Sequence, residues 1–509
     1  MSLAKIISNT GCTAAVVALL AGCTIGPDFE RPDVAPSAGF TREPLPASTV
    51  AVDGGPVQNF RVDDGISAQW WTLFQSPQLN ALIDHALANN PTLQSAEASL
   101  RQAQALLAAQ RSILFPAIDG QVNAARQQSY ANFGSGSAVT IPPFTITSAS
   151  LQLSYAIDLW GTSRRALETT RAQAEQAQFQ LEAAHLTLTS NIVIAAVQQA
   201  ALRAQFEATR TILDAQEQQL GVLRRQLELG GIAEADVLTQ QTGVAQTRAQ
   251  LPPIERALAQ TGNQLLALAG RFPNDPLISQ FDLAELRLPE NLPVSLPSQL
   301  VVQRPDIRAA EAYMHAANAQ IGVATGLMLP QISINANYGR SASSFETLIS
   351  GGGSTVWGLA AGLTQPIFHG GELRNRRRAA IAAFDAAAAQ YRGTVLGAFQ
   401  NVADVLQALQ IDASAVQAQL DAERAAAENL TIAQNRFQSG ATSFLTLLDA
   451  QRTYQQTRIA LVQAQSARYT DTAALFIALG GGWWNREAPP QQAQIENAQT
   501  VAAVQAGAK

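Results

Sequence analysis

The sequence predicts a membrane α+β protein in which two copies of one unit each supply a β-hairpin of membrane-spanning length and a hairpin of very long helices. Three observations predict this class. The chain repeats itself: Pro91, Ala96, Glu97, Ala98, Ala103, Ala105, Pro116, Ile118, Asn123 and Arg126 return 214 residues later as Pro305, Ala310, Glu311, Ala312, Ala317, Ala319, Pro330, Ile332, Asn337 and Arg340. Four segments of about ten residues alternate apolar and polar side chains, which is the period and length of a tilted transmembrane strand. Two runs, Ser163 to Glu228 and Leu373 to Gln438, hold no proline and are rich in Ala, Gln, Leu and Arg, all residues at home in helices.

Further along, the repeat spacing becomes 210, pairing Gly230, Leu238, Gln241, Arg248, Leu265 and Gly270 with Gly440, Leu448, Gln451, Arg458, Leu475 and Gly480. The change falls between Arg126 and about Leu151, in a stretch rich in Gly, Ser and Pro that reads as a variable loop tip. Two copies of one long unit therefore make up most of the chain.

At the N-terminus a single Lys5, a modest apolar run from Thr13 to Leu20 and then Leu20-Ala21-Gly22-Cys23 have the layout of an export signal over residues 1–22. The run is shorter than the roughly 20 residues needed to cross a bilayer, which argues against an uncut anchor. The layout resembles a bacterial lipoprotein signal, and that resemblance implies cleavage before Cys23 and its acylation, against a buried thiol. Residues 23–65 then read as an extended linker. The first repeat, 66–270, reads as a helix, a β-hairpin over about 117–158, a long helix over about 163–228 and a second helix over about 234–269. A Pro-rich linker, 271–295, leads to the second repeat, 296–482, with a helix, a hairpin over about 331–368, a long helix over about 373–438 and a second helix over about 443–479. Residues 483–509, with Pro489-Pro490, read as a flexible tail.

In the strands Ile118, Gly120 and Val122 alternate with Asp119, Gln121 and Asn123, and Leu151, Leu153 and Tyr155 with Gln152 and Ser154. The second copy does the same with Ile332, Ile334 and Tyr338 against Ser333, Asn335 and Asn337, and with Trp357, Leu359 and Leu363 against Gly358 and Gly362. Taken singly, each fits a sandwich strand with one wet face equally well. Position separates the readings: Phe115, Trp160 and Phe368 fall at one level and Tyr130, Phe144 and Trp357 near the other, as interfacial girdles do. Four strands cannot close a barrel, and an open edge in hydrocarbon leaves backbone groups unsatisfied at several kcal/mol each. Chains must therefore combine, two at least for about eight strands, or three for twelve.

The long helices, at 1.5 Å per residue, are rods of about 100 Å. An alternating 4-3 spacing along the first picks out Leu181, His185, Leu188, Ile192, Ala195, Gln199, Leu202, Phe206, Thr209, Leu213, Gln216, Leu220, Leu223 and Leu227, a coiled-coil seam. His185 reads as a tolerated polar seam residue. Leu229-Gly230-Gly231 and Ser439-Gly440-Ala441 are turns, so each rod heads a helical hairpin.

Composition narrows the function classes. The net charge of −6 becomes −7 without Lys5, and neither this acidic balance nor any basic cluster points to a nucleic-acid partner. Cys12 lies inside the signal, so the exported chain has no disulfide. His85, His185, His315 and His369 are scattered without zinc-ligand spacing, and no phosphate loop or nucleophile elbow stands out. Neither a metal nor an enzyme is expected. With Met1, Met314 and Met328 the only methionines, there is no sulfur ladder for soft metals.

Cys23-Thr24-Ile25-Gly26-Pro27, Arg31-Pro32, Trp70-Trp71, Asn90-Pro91, Leu296-Pro297-Ser298, Arg304-Pro305-Asp306, Ala310-Glu311 and Leu448-Asp449-Ala450-Gln451 carry a family likeness over roughly residues 20 to 482. The chain resembles an outer-membrane factor of the TolC type, in the lipoprotein branch often called NodT-like. That resemblance implies a homotrimer whose chains each give four strands to a twelve-stranded barrel, continued by a periplasmic α-helical barrel of coiled-coil hairpins. It implies the passive exit duct of a tripartite efflux system, anchored through Cys23 in outer-membrane lipid and reaching into the periplasm. Its partners would be a periplasmic adaptor (membrane fusion protein) and an inner-membrane transporter of the RND type, and it needs no cofactor. A periplasmic coiled-coil adaptor or scaffold lipoprotein is the alternative, and it would not need four transmembrane-length strands.

The family closes its periplasmic end near the hairpin turns with acidic rings, and the matching positions here hold Asp236 and Asp449. Asp236 equally suits the first turn of a helix, where the dipole favours an acid. Thr446 stands where relatives in that family often carry a second acid, and Phe437 and Thr442 stand at the family's linking positions, so no salt-linked lock is expected. The basic groups Arg164-Arg165 and Arg374, Arg376, Arg377 and Arg378, just after the second strand of each copy, are placed to meet lipid headgroups or simply to sit at a solvated helix start.

Overall fold

A computed structural model describes residues 24–32, 39–41, 43–53, 55–62, 65–128, 130–132, 138–140, 142–276 and 280–486. Cys23 and residues 487–509 lie outside them. In chain order the first half holds β1 (Asn59–Val62), α1 (Pro77–Asn89), α2 (Pro91–Arg111), β2 (Ala117–Gln127), β3 (Tyr130–Asn132), β4 (Ala138–Thr140), β5 (Phe144–Ile157), α3 (Thr162–Glu228) and α4 (Glu234–Leu268). The second half holds β6 (Asn291–Val294), α5 (Pro297–Gln303), α6 (Pro305–Gly326), β7 (Gln331–Ala342), α7 (Phe345–Ile349), β8 (Ser354–Thr364), α8 (Glu372–Gln438) and α9 (Phe444–Ala478). The repeat extends to size: α3 and α8 are each 67 residues, and α4 and α9 each 35. No helix among the described residues is long and apolar enough to cross a membrane.

The chain divides into two compact units. One comprises residues 1–32, 99–178 and 309–392, the other 33–98, 179–308 and 393–509. The first unit contains an antiparallel sheet in the order β2-β5-β7-β8. Its hairpins come from different repeats, and β5 pairs with β7 from Thr147↔Ala342 to Ile157↔Ile332 to join them. Below β5, Asp158 accepts the N–H groups of Ser163 and Arg164 at 3.0 Å each, satisfying donors that the start of α3 leaves unpaired.

Arg165 is not where the lipid-headgroup reading put it. Its side chain is 5% exposed and pairs with Asp28 at 2.6 Å and Glu168 at 2.8 Å. An exposed location would leave those two carboxylates without their shared cation. The basic residues Arg374, Arg376, Arg377 and Arg378 do stay exposed.

In the second unit the seam of α3 packs as its spacing predicts, and none of the fourteen seam residues is exposed. His185 is half-buried, and its pKa is lowered to about 4, by burial first and by the charge of Arg486 second. A neutral imidazole is the form a helix interface tolerates. Trp70 stacks on Phe476 with ring centroids 5.3 Å apart, and Ile66, Phe74, Leu79, Leu82 and Ile83 are buried with it.

Each repeat closes on itself at one joint in this unit. Asn90, just before Pro91, donates Nδ2–H to the carbonyl of Leu268 at 2.8 Å, near the end of α4. Arg304, the repeat counterpart of Asn90, donates Nη1–H to the carbonyl of Ala478 at 2.9 Å, at the end of α9. It is also gripped by Asp306, at 3.0 Å and 2.6 Å. Both side chains satisfy carbonyls that a helix C-terminus leaves open. Gly270 and Gly480 sit in the same joints with φ of +74° and +94°, the left-handed region that favours glycine.

Two findings depart from the linker and tail readings. Parts of the segments read as linkers pair with each other, Asn59–Val62 running parallel to Asn291–Val294 as β1 and β6. Pro293 is tolerated because β6 is an edge strand of a two-stranded ribbon, where one side of the strand needs no N–H donor. The tail is ordered at its start: Trp483 donates Nε1–H to the carbonyl of Gln303 at 2.6 Å, Asn485 bonds the carbonyl of Ile66 at 2.7 Å, and Arg486 pairs with Glu182 at 3.0 Å.

Candidate functional site: strand face and hairpin turns

Register puts every apolar set of the sheet on one face. Ile118 stands opposite Leu153, and Gly120 opposite Leu151; Leu151 is opposite Tyr338 and Leu153 opposite Ala336; Tyr338 is opposite Trp357 and Ala336 opposite Leu359. Ile118, Val122, Leu151, Tyr338, Trp357, Leu359 and Leu363 are all exposed on that face. The opposite face carries Asp119, Gln121 and Asn123 of β2, Ser150, Gln152 and Ser154 of β5, and Ser333, Asn335 and Asn337 of β7. A sheet whose one face is apolar through its middle and whose other face is polar has the pattern of a barrel wall, lipid outside and water inside. Among the described residues β2 and β8 have no partner on their outer edges, so each edge still needs a strand from another chain.

The hairpin turns follow one rule in both repeats. Gly230 and Gly440 each have φ of +74°. Gly230 N–H donates to the carbonyl of Leu227 and Gly231 N–H to that of Gln226; Gly440 and Ala441 do the same to Phe437 and Arg436. This is the paired closure of a left-handed helix end. Ser443 then accepts the Thr446 N–H and starts α9, and the Thr446 hydroxyl lies 3.1 Å from the Ser443 hydroxyl. Phe437 packs edge-on against Phe444, 5.9 Å between centroids, across its own turn.

The two candidate acids stand in different settings, on different helices, and no bond or ion pair joins them among the described residues. Asp236 is half-buried in the first turn of α4, with Glu234 beside it, a location the helix dipole favours on its own. Asp449 is exposed on the second turn of α9. Beneath them Leu213, Leu220 and Leu223 of α3, Val237 and Val244 of α4, and Phe444 and Leu448 of α9 form one core. The repeats differ here: Leu448 is 4% exposed but its counterpart Leu238 is 55% exposed. Helix α9 is covered on two sides, and α4 keeps an open face.

Sequence reading missed the polar groups between these helices. Gln240 is buried and donates Nε2–H to the carbonyl of Gln216 at 2.9 Å, and Gln455 donates to Gln250 Oε1 at 2.9 Å. Arg248 pairs with Glu217, and Arg458 pairs with Glu423 at 3.4 Å. These arginines occupy matching repeat positions and each pins its own hairpin, so their recurrence was the available signal.

Farther along the same unit, buried Arg468 donates Nε–H to Gln58 Oε1 at 3.2 Å and Nη2–H to the carbonyl of Pro56 at 2.8 Å. Asp412 of α8 faces Asp471 of α9. Burial first, then a hydrogen bond to Asp471 and its negative charge, push the Asp412 carboxyl up to about 7, with Arg468 opposing. That bond needs a proton on one of the two acids. The folded state keeps this proton as pH rises from the ordinary carboxyl value to about 7, so the pair favours folding under acidic conditions and loses that contribution as pH rises through 7. Asp412→Asn is therefore expected to raise the thermal midpoint near pH 8 and to leave it nearly unchanged near pH 3, below the ordinary carboxyl value, where folded and unfolded chains both hold the proton. Calorimetry at the two pH values reads the difference. Among the described residues no three His, Cys, Asp or Glu side chains gather as a metal site.

Comparison with known proteins fits this geometry. The sequence matches the family described as outer membrane efflux protein over residues 82–271 and 296–481, one stretch in each repeat. The chain belongs to this family. It is 32% identical over 484 residues to the probable efflux pump outer membrane protein TtgC of Pseudomonas putida, covering 94% of this chain and 96% of that protein. It is 29% identical over 471 residues to the cation efflux system protein CusC of Escherichia coli, covering 92% and 97%. Among solved structures, the outer-membrane channel OprN superposes with a TM-score of 0.80 at 27% identity, over 91% of this chain and 100% of that one. VceC of Vibrio cholerae superposes with a TM-score of 0.75 at 28% identity, over 82% and 100%. The outer membrane efflux protein fold is thus the one expected from the sequence, four strands per chain for a trimeric twelve-stranded barrel continued by a barrel of helices. As a member of the family, this chain is the outer-membrane channel of an efflux system.

Proposed function

We propose that this channel is the passive exit duct for small organic compounds, held in outer-membrane lipid by acylation of Cys23 and by its strands, and fed by a periplasmic adaptor and an inner-membrane transporter of the RND type. The single apolar face of the four-stranded sheet, with two raw edges, carries the reading: it suits only a wall that other copies complete. Relatives of similar identity are named for toluene, pyoverdine and cations, so cargo is not set by overall likeness. The scarcity of methionine favours organic cargo over soft metals. The exposed Arg374, Arg377 and Arg378 at the start of α8 would meet lipid headgroups.

Light scattering of protein extracted in mild detergent, with the detergent contribution subtracted, tests the assembly. Three chains per particle support the duct. A single chain that stays soluble without detergent once its lipid is removed would replace the duct with a periplasmic adaptor or scaffold.

In this reading Asp449, exposed on α9, forms the acidic ring of the periplasmic gate, and Asp236 adds a weaker one. Three carboxylates a few Å apart repel by about 1 to 4 kcal/mol per pair, depending on the local dielectric, and attract cations. Asp449→Ala is expected to raise leak conductance in planar bilayers and reduce cation preference. Unchanged conductance together with unchanged selectivity would remove Asp449 from the gate.

A further inference from the structure

The segment that follows Cys23 is held far more firmly than a tether requires. Ile25 N–H donates to the carbonyl of Trp160 at 3.0 Å, and Thr24 lies so close to Gly161 that a Cβ there would stand 3.0 Å from it. Gly26, with φ of +100°, faces Gly322 of α6; a Cβ on Gly26 would stand 2.6 Å from the Gly322 Cα. Asn318 donates Nδ2–H to the carbonyl of Pro27 at 3.0 Å.

Arg165 is the centre of the arrangement. Besides Asp28 and Glu168, it donates to the carbonyls of Ile25 at 3.2 Å and Gly26 at 3.4 Å. Glu168 also holds His315 Nε2 at 2.8 Å, and Phe29 stacks on that imidazole with centroids 4.4 Å apart. Arg31 pairs with Glu311 at 2.7 Å. A guanidinium withdrawn from water is strongly unfavourable unless its donors are met, and here the segment meets most of them. Its contacts come from both repeats: Trp160, Gly161 and Arg165 from the first, Glu311, His315, Asn318 and Gly322 from the second.

We infer that residues 24–32 form a strap that clips the exported N-terminus to α3 and α6 without help from the lipid, with Arg165 as its positioning residue, and that the strap braces the two repeats against each other. The lipid reading of Cys23 enters only as a contrast. With or without an acyl group, the strap keeps the residue after Cys23 beside Trp160-Gly161, where β5 gives way to α3.

A nitroxide on Glu30→Cys, an exposed strap position, reads the seating in the detergent-extracted oligomer. Two forms are compared, the native acylated chain and a Cys23→Ala chain exported by an ordinary cleavable signal. The expected spectrum is slow-tumbling in both. Arg165→Ala is expected to shift the label of the unacylated form to fast tumbling. Gly26→Val, which alters the strap alone, is expected to do the same with the helices intact, and so decides the matter if the arginine variant fails to fold. A label that is mobile whenever the lipid is absent, or immobile in both variants, would overturn the strap. Bilayer conductance of the same preparations reports the duct separately: conduction with a mobile label sinks only the strap, and immobility without conduction sinks only the duct.

Discussion

Gly339→Val is expected to abolish recovery of the assembled oligomer from the outer membrane. Gly339 lies in β7 opposite Ser150 of β5, and a Cβ there would stand 2.4 Å from the carbonyl oxygen of Ala149 and 2.6 Å from the Cα of Ser150. Those are backbone atoms, so no rotamer change relieves the overlap. Among the described residues the β5–β7 ladder is the only one joining the hairpins of the two repeats, and parting it exposes two new strand edges to hydrocarbon. Each unsatisfied group there costs several kcal/mol, against a total folding stability of about 5–15 kcal/mol for a typical protein. Light scattering of the extracted membrane fraction checks the outcome. Gly362→Ala is the matched control: its Cβ would meet only Ser333 Oγ at 3.5 Å, an ordinary contact, and the oligomer is expected to persist.

Gly270→Val is expected to lower the thermal midpoint of the helical unit sharply. The left-handed backbone at φ of +74° excludes a β-branched residue. A Cβ would also stand 2.5 Å from the carbonyl oxygen of Asn89 and 2.9 Å from its carbon. Backbone strain of about 1–3 kcal/mol and overpacking of similar size together predict a loss of about 3 kcal/mol or more. The clash presses on the turn that presents Asn90 to the end of α4, so the hydrogen bond to Leu268 is lost with it. Circular dichroism at the helix band, followed on heating, reads the shift, and a midpoint equal to the parent's would show that the joint does not hold the repeat closed.

Much of this fold was legible in the sequence because periodicity is a local property. The seam from Leu181 to Leu227 and the alternation in the four strands require only that neighbouring side chains face the same surroundings. Both could be read without knowing what lay opposite. The joint was half legible: Asn90 and Arg304, or Gly270 and Gly480, are visible as repeat positions, but their capping of Leu268 and Ala478 depends on a turn and a helix end meeting across about 180 residues. The β1–β6 ribbon left no trace, since four-residue strands in Pro-containing segments carry no period long enough to detect. Arg165 misled because a charged residue at a strand–helix boundary looks like a headgroup ligand, and its real partner Asp28 lies in a segment with no pattern. Of the candidate gate acids, sequence placed both near the turns, and only the fold separated a half-buried Asp236 from an exposed Asp449.

The unequal burial of Leu238 and Leu448 marks where one chain stops short of a closed ring. The residue is leucine in both repeats, so the difference lies in the neighbours: Leu448 packs in a core with helices of its own chain, whereas Leu238 is left bare. Where three chains close a ring of six hairpins, that bare face of α4 is open to the hairpin of the next chain, and its leucine supplies apolar surface for the join.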